Sequence, residues 1–174
     1  MLIHHDSIFN TLKPLLLGAA VSLTLQACAR PEIAMTVAYE EKDHAAWMAS
    51  GTAEISGEGF IRRPNARLAR CSGGRVRLAP ASPYFREWVR IIRRGGNAAN
   101  ARQLAQAHKN AIRTTQCNMQ GRFTFENLPA GKWFVLTQVT YEDEDTSDNS
   151  TFITEVETKA GEAAKVILSN PNRV

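Results

Sequence analysis

Residues 117–141 read CNMQGRFTFENLPAGKWFVLTQVTY, and this stretch decides the fold. Around Phe123 and Phe125, apolar and polar residues alternate with the period of two that a half-buried β-strand requires. Residues 128–131 (LPAG) break the run, because proline presets φ and glycine accepts a positive φ, so we predict a hairpin with a tight turn here. Residues 132–141 resume the strand with apolar groups on both faces, which is typical of a central strand.

Two segments resemble a known family. Gly121–Val135 (GRFTFENLPAGKWFV) resembles the G-x-F-x-F-x-x-L-P-A-G-x-Y/W-x-V signature of carboxypeptidase-regulatory-like domains. Cys71–Tyr84 (CSGGRVRLAPASPY) is similar to the C-x-G-x-x-V-x-L-x-P-x-T-x-Y segment of their bacterial envelope members, with Ser82 in place of threonine. The resemblance implies a mainly β protein, an antiparallel transthyretin-like β-sandwich of about seven strands. It implies no particular activity, because such domains are accessory modules in many unrelated proteins.

The composition of the whole chain is that of one folded domain with small additions. The chain has 174 residues, a net charge of +4 and 44% hydrophobic residues. These values exclude a chain that is disordered by composition and one that is embedded in a membrane.

The N-terminus has the pattern of an export signal. The apolar run of residues 15–25 is too short to cross a bilayer but suits the hydrophobic region of a signal peptide. It ends in LQAC at residues 25–28, which resembles a bacterial lipobox, where the chain is cut before a cysteine that receives the lipid. We therefore predict a signal peptide over residues 1–27 and a lipidated Cys28. The alternative is an ordinary secretory signal.

The lipobox resemblance also implies a location. Residue 29 is alanine and not the aspartate that retains lipoproteins of enteric bacteria in the inner membrane. We therefore expect a lipid anchor in the outer membrane, on its periplasmic face. Residues 28–32 would be a tether, and residues 33–174 would form the sandwich domain.

The cysteine count is consistent with this prediction. Three cysteines are an odd number for an exported protein, but lipidation of Cys28 leaves the pair Cys71 and Cys117. An oxidising periplasm would join them, so we predict a disulfide. A metal site is the alternative, although no C-x-x-C or H-x-x-H spacing supplies further ligands.

Between these cysteines the period changes to that of a helix. Ser82 suits an N-cap and Pro83 a first helical residue, and Gly95-Gly96 suits the end of the helix. The apolar stripe consists of Phe85, Trp88, Val89 and Ile92.

A second helix is predicted from Asn97, as its cap, to about Ile112. Its proposed inner face consists of Ala101, Leu104, Ala105 and His108. The two helices would form an insertion over residues 82–113, and the disulfide would hold the base of that insertion against the sandwich.

Other segments alternate as strands do. They are Ile33–Tyr39, Thr52–Arg62, Arg75–Ala79, Thr151–Glu157 and Gly161–Leu168. Gly57 and Gly59 indicate a bulge or a close backbone approach in the second of these strands. The acidic run of residues 142–150 is predicted to be a turn.

The sequence contains no recognisable catalytic motif. His44 and His108 are the histidines outside the predicted signal peptide, and neither has a partner at zinc-ligand spacing. Glu142–Asp145 could chelate calcium, but we favour a solvated hairpin tip. We therefore predict a protein that is not an enzyme and that uses no cofactor. The alternative is an envelope hydrolase without a recognisable motif.

Positive charge is concentrated in the first predicted helix. Residues 84–113 contain seven basic residues against Glu87 alone. The possible anion-binding residues are Arg86, Arg90, Arg93 and Arg94, which lie beside the apolar stripe. We favour a solvated helix face as the interpretation of this pattern. The alternative is an anion-binding surface for lipopolysaccharide, an acidic polymer or an acidic protein partner.

These predictions together describe a non-catalytic lipoprotein that is a binding or structural module of the cell envelope. Its expected partners are the membrane, through the lipid, and an anionic polymer or protein of the envelope. Nothing in the sequence indicates nucleic acid. A subunit of a trans-envelope secretion machine is the remaining alternative, since lipoproteins of the resembling fold occur there.

Overall fold

A computed structural model describes residues 30–63, 67–143 and 146–174. The described strands are β1 (Glu32–Ile33), β2 (Ala53–Arg62), β3 (Leu68–Arg70), β4 (Arg75–Pro80), β5 (Asn97–Ala98), β6 (Arg113–Gln116), β7 (Arg122–Leu128), β8 (Gly131–Asp143), β9 (Thr146–Thr158) and β10 (Ala163–Leu168). The helices are α1 (Ala45–Met48), which continues a 3-10 turn (Glu41–His44), α2 (Pro83–Arg93), α3 (Ala101–Ala111) and a 3-10 turn (Asn170–Asn172). The predicted signal peptide and Cys28 lie outside the described residues.

Two four-stranded sheets pack face to face. In the first sheet β2 pairs with β10, β7 and β3, and in the second the order is β6-β4-β8-β9. β10 is parallel to β2, and the other pairs described within these two sheets are antiparallel. Buried side chains from both sheets form one core, among them Ile55, Val76, Leu78, Leu128, Val135 and Phe152. The predicted β-sandwich is confirmed, with eight described strands in the two sheets against about seven expected.

The predicted hairpin of residues 117–141 is wrong. β7 pairs with β2 in the first sheet, whereas β8 pairs with β4 and β9 in the second. Residues 129–130 therefore connect the two sheets, and the chain bends out of the sheet plane through Asn127 (φ 56°) and Gly131 (φ 154°). This connection lets aromatic side chains of both strands enter the same core from opposite sides, which pairing within one sheet would prevent.

β8 is a central strand, as its sequence predicts. Trp133 and Val135 enter the core between the sheets, while Phe134 and Leu136 enter a second core under the helices. The outer side of this second core is formed by α2 and α3. Burial of both faces of the strand explains its nearly continuous apolar sequence.

The strand predicted over Ile33–Tyr39 is largely wrong. Regular pairing is limited to β1, which lies parallel to β5 at the edge of the insertion. The Glu87 carboxylate accepts hydrogen bonds from the backbone nitrogens of Thr36 (3.0 Å) and Val37 (2.8 Å). A side chain thus satisfies backbone donors that a neighbouring strand would otherwise pair with.

α2 forms as predicted, and α3 differs in its start and its face. Ser82 caps α2, its Oγ accepting a hydrogen bond from the backbone nitrogen of Phe85. Asn97 is not a helix cap, because it belongs to β5, and its backbone nitrogen donates to the Pro31 carbonyl. The fully buried residues of α3 are Ala107 and Ala111, whereas Ala105 is exposed.

The disulfide between Cys71 and Cys117 is confirmed. The Cα atoms are 5.7 Å apart, and the two cysteines are separated by 46 residues in the sequence. The helical insertion lies within the loop that the bond closes. In the chain-entropy description a loop of this length stabilises the fold by about 4 kcal/mol. The metal alternative is excluded for this pair, because the two sulfurs are bonded to each other.

Two further expectations change in detail. The acidic run of residues 142–150 is largely strand, because β8 and β9 pair up to Asp143 and Thr146. The irregularity in β2 falls between Ala53 and Ile55, not at its glycines. The close approach is confirmed at Gly59, where a Cβ would lie 2.8 Å from the Sγ of Cys71.

None of the described helices is long and apolar enough to span a membrane.

Candidate anion-binding site

The four predicted arginines line one surface depression, three of them on α2 and the fourth, Arg94, at its C-cap. We call it the arginine pocket, and its volume is about 280 Å³. Its lining residues are Arg86, Val89, Arg90, Arg93, Arg94, Phe134 and Glu155. The arginines share one flank of the helix because positions i, i+4, i+7 and i+8 follow the helical repeat. Burial of the apolar stripe against β8 leaves this flank at the surface.

Arg86 closes one end of the pocket through an ion pair with Glu155. Its two terminal nitrogens donate to the two carboxylate oxygens of Glu155 at 2.8 and 2.9 Å. The hydrogen bond with Arg86 is the main cause that holds the pKa of Glu155 below its ordinary value, and it raises the pKa of Arg86. The Arg86 guanidinium also lies 5.6 Å from the ring centroid of Phe134, so the pair fixes Arg86 over an aromatic base.

The other three arginines have open guanidinium groups. Arg90, Arg93 and Arg94 are exposed, and none of them makes a side-chain hydrogen bond or an ion pair with the part of the chain that is described. The single acid of the segment, Glu87, forms no ion pair with them, because its carboxylate binds the backbone of residues 36–37, although its charge still attracts Arg90. Burial acts to raise the pKa of Glu87, but the hydrogen bonds from Val37 and Thr36 outweigh it and lower that pKa.

A second depression adjoins the arginine pocket, because Arg93 lines both. Its volume is about 340 Å³, and it extends along β9 towards the 3-10 turn at residues 170–172. Arg173 lines its far side and forms an ion pair with Asp148 at 3.0 Å. We call the two depressions together the arginine groove. Two arginines of the groove, Arg86 and Arg173, are each paired with a carboxylate, whereas Arg90, Arg93 and Arg94 form no ion pair with a described residue.

The remaining basic residues of the insertion do not join the groove. Arg102 and Lys109 are exposed on α3. Arg113 turns inward and donates to the carbonyl oxygens of Trp47 (3.0 Å), Ala49 (3.0 Å) and Asn127 (3.2 Å). Burial lowers the pKa of Arg113. This arginine therefore holds three loop carbonyls together and is not available to a ligand.

The sequence did not predict the buried pair that His44 and Ser82 form. His44 Nε2 lies 2.8 Å from Ser82 Oγ, and His44 Nδ1 lies 2.8 Å from the Glu40 carbonyl oxygen. Since a carbonyl only accepts, Nδ1 carries the proton and Nε2 accepts from the serine hydroxyl. Both residues are 1% exposed, and the serine also caps α2. The pair thus links α2 to the preceding helical turns and is closed to a substrate. The helix-cap signal at Ser82 is the one sign of it in the sequence.

Metal chemistry finds no support in the described ranges. Residues 30–63, 67–143 and 146–174 contain no group of three or more histidine, cysteine, aspartate or glutamate side chains that could hold an ion. The calcium alternative at Glu142–Asp145 falls partly outside these ranges.

Comparisons with known proteins address the fold. No protein-family model matches the chain, and no curated protein matches it. Among solved structures, the chain is similar to the crystal structure of a proposed carbohydrate-binding protein from Pseudomonas aeruginosa. The TM-score is 0.60 and the identity 18%, over 76% of this chain and 97% of that chain. At this identity the likeness concerns the β-sandwich fold, and the family resemblance stays a prediction.

Proposed function

We propose that this chain is a non-catalytic binding module of the bacterial cell envelope. Its ligand is an anionic carbohydrate polymer, which binds in the arginine groove. In this proposal a lipid on Cys28 anchors the chain at the periplasmic face of the outer membrane, where such polymers are found.

The observation that carries the proposal is the cluster of three unpaired arginines in one depression. Three guanidinium groups on one helix flank repel each other, and the neighbouring acids, Glu87 and Glu155, attract them only at a distance, because the hydrogen bonds of both carboxylates go to other groups. An anion that binds here relieves this repulsion and forms charge-assisted hydrogen bonds with planar donors. A merely solvated helix face requires no such clustering.

The shape of the groove favours a polymer over a single small anion. The arginine pocket opens at Arg93 into the second depression, so a chain that binds at α2 can continue along β9 to Arg173. A repeating acid would then meet successive arginines. The carbohydrate class is supported by the structural neighbour, whose proposed ligand is a carbohydrate and whose fold is similar.

The test is a binding measurement with a matched control. The variant R90Q/R93Q/R94Q removes three charges from the groove and leaves the Arg86–Glu155 pair intact. The control variant R102Q/K109Q/K165Q removes three exposed charges elsewhere on the surface. Polygalacturonate is the acidic probe and dextran the neutral one, at low and at high salt.

We expect wild type and control to bind polygalacturonate at low salt and to lose it at high salt, because exposed charges are screened within about 8 Å at physiological ionic strength. The groove variant should bind about tenfold more weakly or worse, since removed charge-assisted hydrogen bonds cost about 1.5–3 kcal/mol. Equal losses in the two variants would assign the binding to net charge and overturn the proposal. So would wild-type binding of dextran that equals the binding of polygalacturonate.

A further inference from the structure

A second cleft lies on a different flank of α2, between the helical insertion and the second sheet. We call it the insertion cleft, and its volume is about 300 Å³. This volume is at the lower end of the range of small-molecule sites, which is about 300–1,000 Å³. The residues that line the cleft include Arg30, Arg77, Trp88, Asn97, Leu104 and Gln138. Trp88 belongs to α2 and Leu104 to α3, so the insertion supplies the apolar wall.

The polar side of the cleft is cationic. Arg77 projects from β4, and Arg30 lies at the exposed margin. Neither guanidinium makes a hydrogen bond or an ion pair with another described residue, and none of the described acidic residues lines the cleft. The amides of Asn97 and Gln138 add neutral hydrogen-bonding groups. Two unpaired cations beside apolar side chains favour a ligand with a negative group and an apolar body.

His108 supplies a second observation next to the cleft, since it does not line the cleft itself but contacts Trp88, which does. It lies one helical turn after Leu104, and its ring packs edge-to-face on Trp88 with centroids 5.3 Å apart. Its Nε2 atom is buried and has no hydrogen-bond partner among the described residues. An unsatisfied buried nitrogen is uncommon, because it costs about 1–3 kcal/mol, and it calls for an explanation such as a bound water or a functional role. Burial and then Arg77 lower the pKa of His108, which favours the neutral ring beside Arg77.

We propose that the insertion cleft binds a small organic carboxylate. The carboxylate pairs with Arg77 and Arg30, and the apolar body of the ligand packs against Trp88 and Leu104. This site is separate from the arginine groove, because the two lie on different flanks of α2 and have no lining residue in common. The inference therefore stands independently of the proposed polymer ligand.

The probe is 2-naphthoate, which carries both features in one small molecule. Methyl 2-naphthoate keeps the ring and loses the charge, and acetate keeps the charge and loses the ring. Binding to the purified full chain is measured by calorimetry and by the NMR shift of the Trp88 indole N–H. We expect 2-naphthoate to bind and to move the Trp88 signal, and both of the other compounds to bind at least about tenfold more weakly.

Substitutions in the cleft and in the groove then test whether 2-naphthoate binds in the insertion cleft. Arg77→Gln should weaken 2-naphthoate binding about tenfold or more. R90Q/R93Q/R94Q should leave it unchanged, because its three positions lie in the groove. Arg30→Gln, at the exposed margin, should weaken binding too, and it serves as the test if Arg77→Gln does not fold. Absence of binding, equal binding of the methyl ester, a static Trp88 signal, or equal loss in the groove variant would each overturn the proposal.

Discussion

The guanidinium group of Arg86 and the carboxylate of Glu155 form two parallel hydrogen bonds, which join α2 to β9 across 69 residues of sequence. Among the described residues, Glu155 is the one acid that lines the arginine pocket. It therefore both positions one arginine and subtracts from the positive charge of the site.

Replacement of Glu155 by glutamine should strengthen anion binding. The change removes the carboxylate of the pocket and leaves Arg86 available, so we expect polygalacturonate to bind about two- to fivefold more tightly, which corresponds to about 0.4–1 kcal/mol. Stability should change by less than about 1 kcal/mol, because both side chains of the pair are more than a third exposed to solvent. Glu157→Gln on the same strand is the control, since Glu157 does not line the groove. Weaker binding in Glu155→Gln than in the control would contradict the charge argument.

The disulfide should contribute a large part of the stability. C71S/C117S is expected to lower the free energy of unfolding by about 2–4 kcal/mol, because the unfolded chain regains the freedom of the closed loop. Urea denaturation of wild type and variant measures this difference, and peptide mapping without reductant checks the Cys71–Cys117 bond in periplasmic protein. Two alkylatable thiols at these positions would contradict the prediction.

The connection between the sheets should be sensitive to its backbone angles. Gly131 has φ of 154°, and a Cβ there would lie 3.2 Å from the indole nitrogen of Trp47. Gly131→Val should therefore cost about 1–3 kcal/mol. Ala130→Val adds the same side chain at the neighbouring exposed position, where φ is not positive, and should cost little. Similar melting temperatures of the two variants would mean that the angle of Gly131 is not constrained.

Removal of the Trp133 side chain from the sandwich core should lower the stability of the fold. Trp133 is fully buried, and its Nε1 donates to Thr158 Oγ1 at 3.1 Å. Trp133→Ala should lower the free energy of unfolding by about 3–5 kcal/mol, through the cavity that it leaves and the loss of the hydrogen bond to Thr158, whose hydroxyl still donates to the Pro129 carbonyl oxygen. Trp47→Ala is the comparison, because Trp47 is partly exposed at the edge of this core. A smaller loss for Trp133→Ala than for Trp47→Ala would contradict the position of the core.

His108 should make stability depend on pH. Its folded pKa is lowered, first by burial and then by Arg77, whereas an unfolded histidine titrates near pH 6.5. Below this pH the unfolded chain binds a proton that the folded chain does not bind, so stability falls as the pH decreases from about 6.5 through the lowered pKa. His108→Gln should show a smaller decrease in urea denaturation at pH 7.5, 6.5 and 5.5. Equal decreases would show that other groups cause the effect.

Local patterns were sufficient for some elements of this fold, among them β8 and α2, but not for the segment 33–39 or for the start of α3. Residues 132–141 alternate with a period of two and have apolar side chains on both faces. This pattern predicted a central strand, because a strand that is buried on both sides needs apolar side chains on both faces. Serine and proline at residues 82–83 determined where α2 begins. The helical repeat alone placed Arg86, Arg90, Arg93 and Arg94 on one flank, since that spacing depends only on the helix.

The tertiary structure decided how these elements meet. The break at residues 128–131 is compatible with a hairpin and with a connection between sheets, and only the partner β2 selects the second. Likewise the sequence does not show that Glu155 enters the arginine pocket, that Arg113 turns inward, or that His44 meets Ser82. Each of these contacts joins residues that are far apart in the chain or depends on which face is covered. Such contacts follow from the packing of whole layers, and a local pattern carries no information about its distant partner.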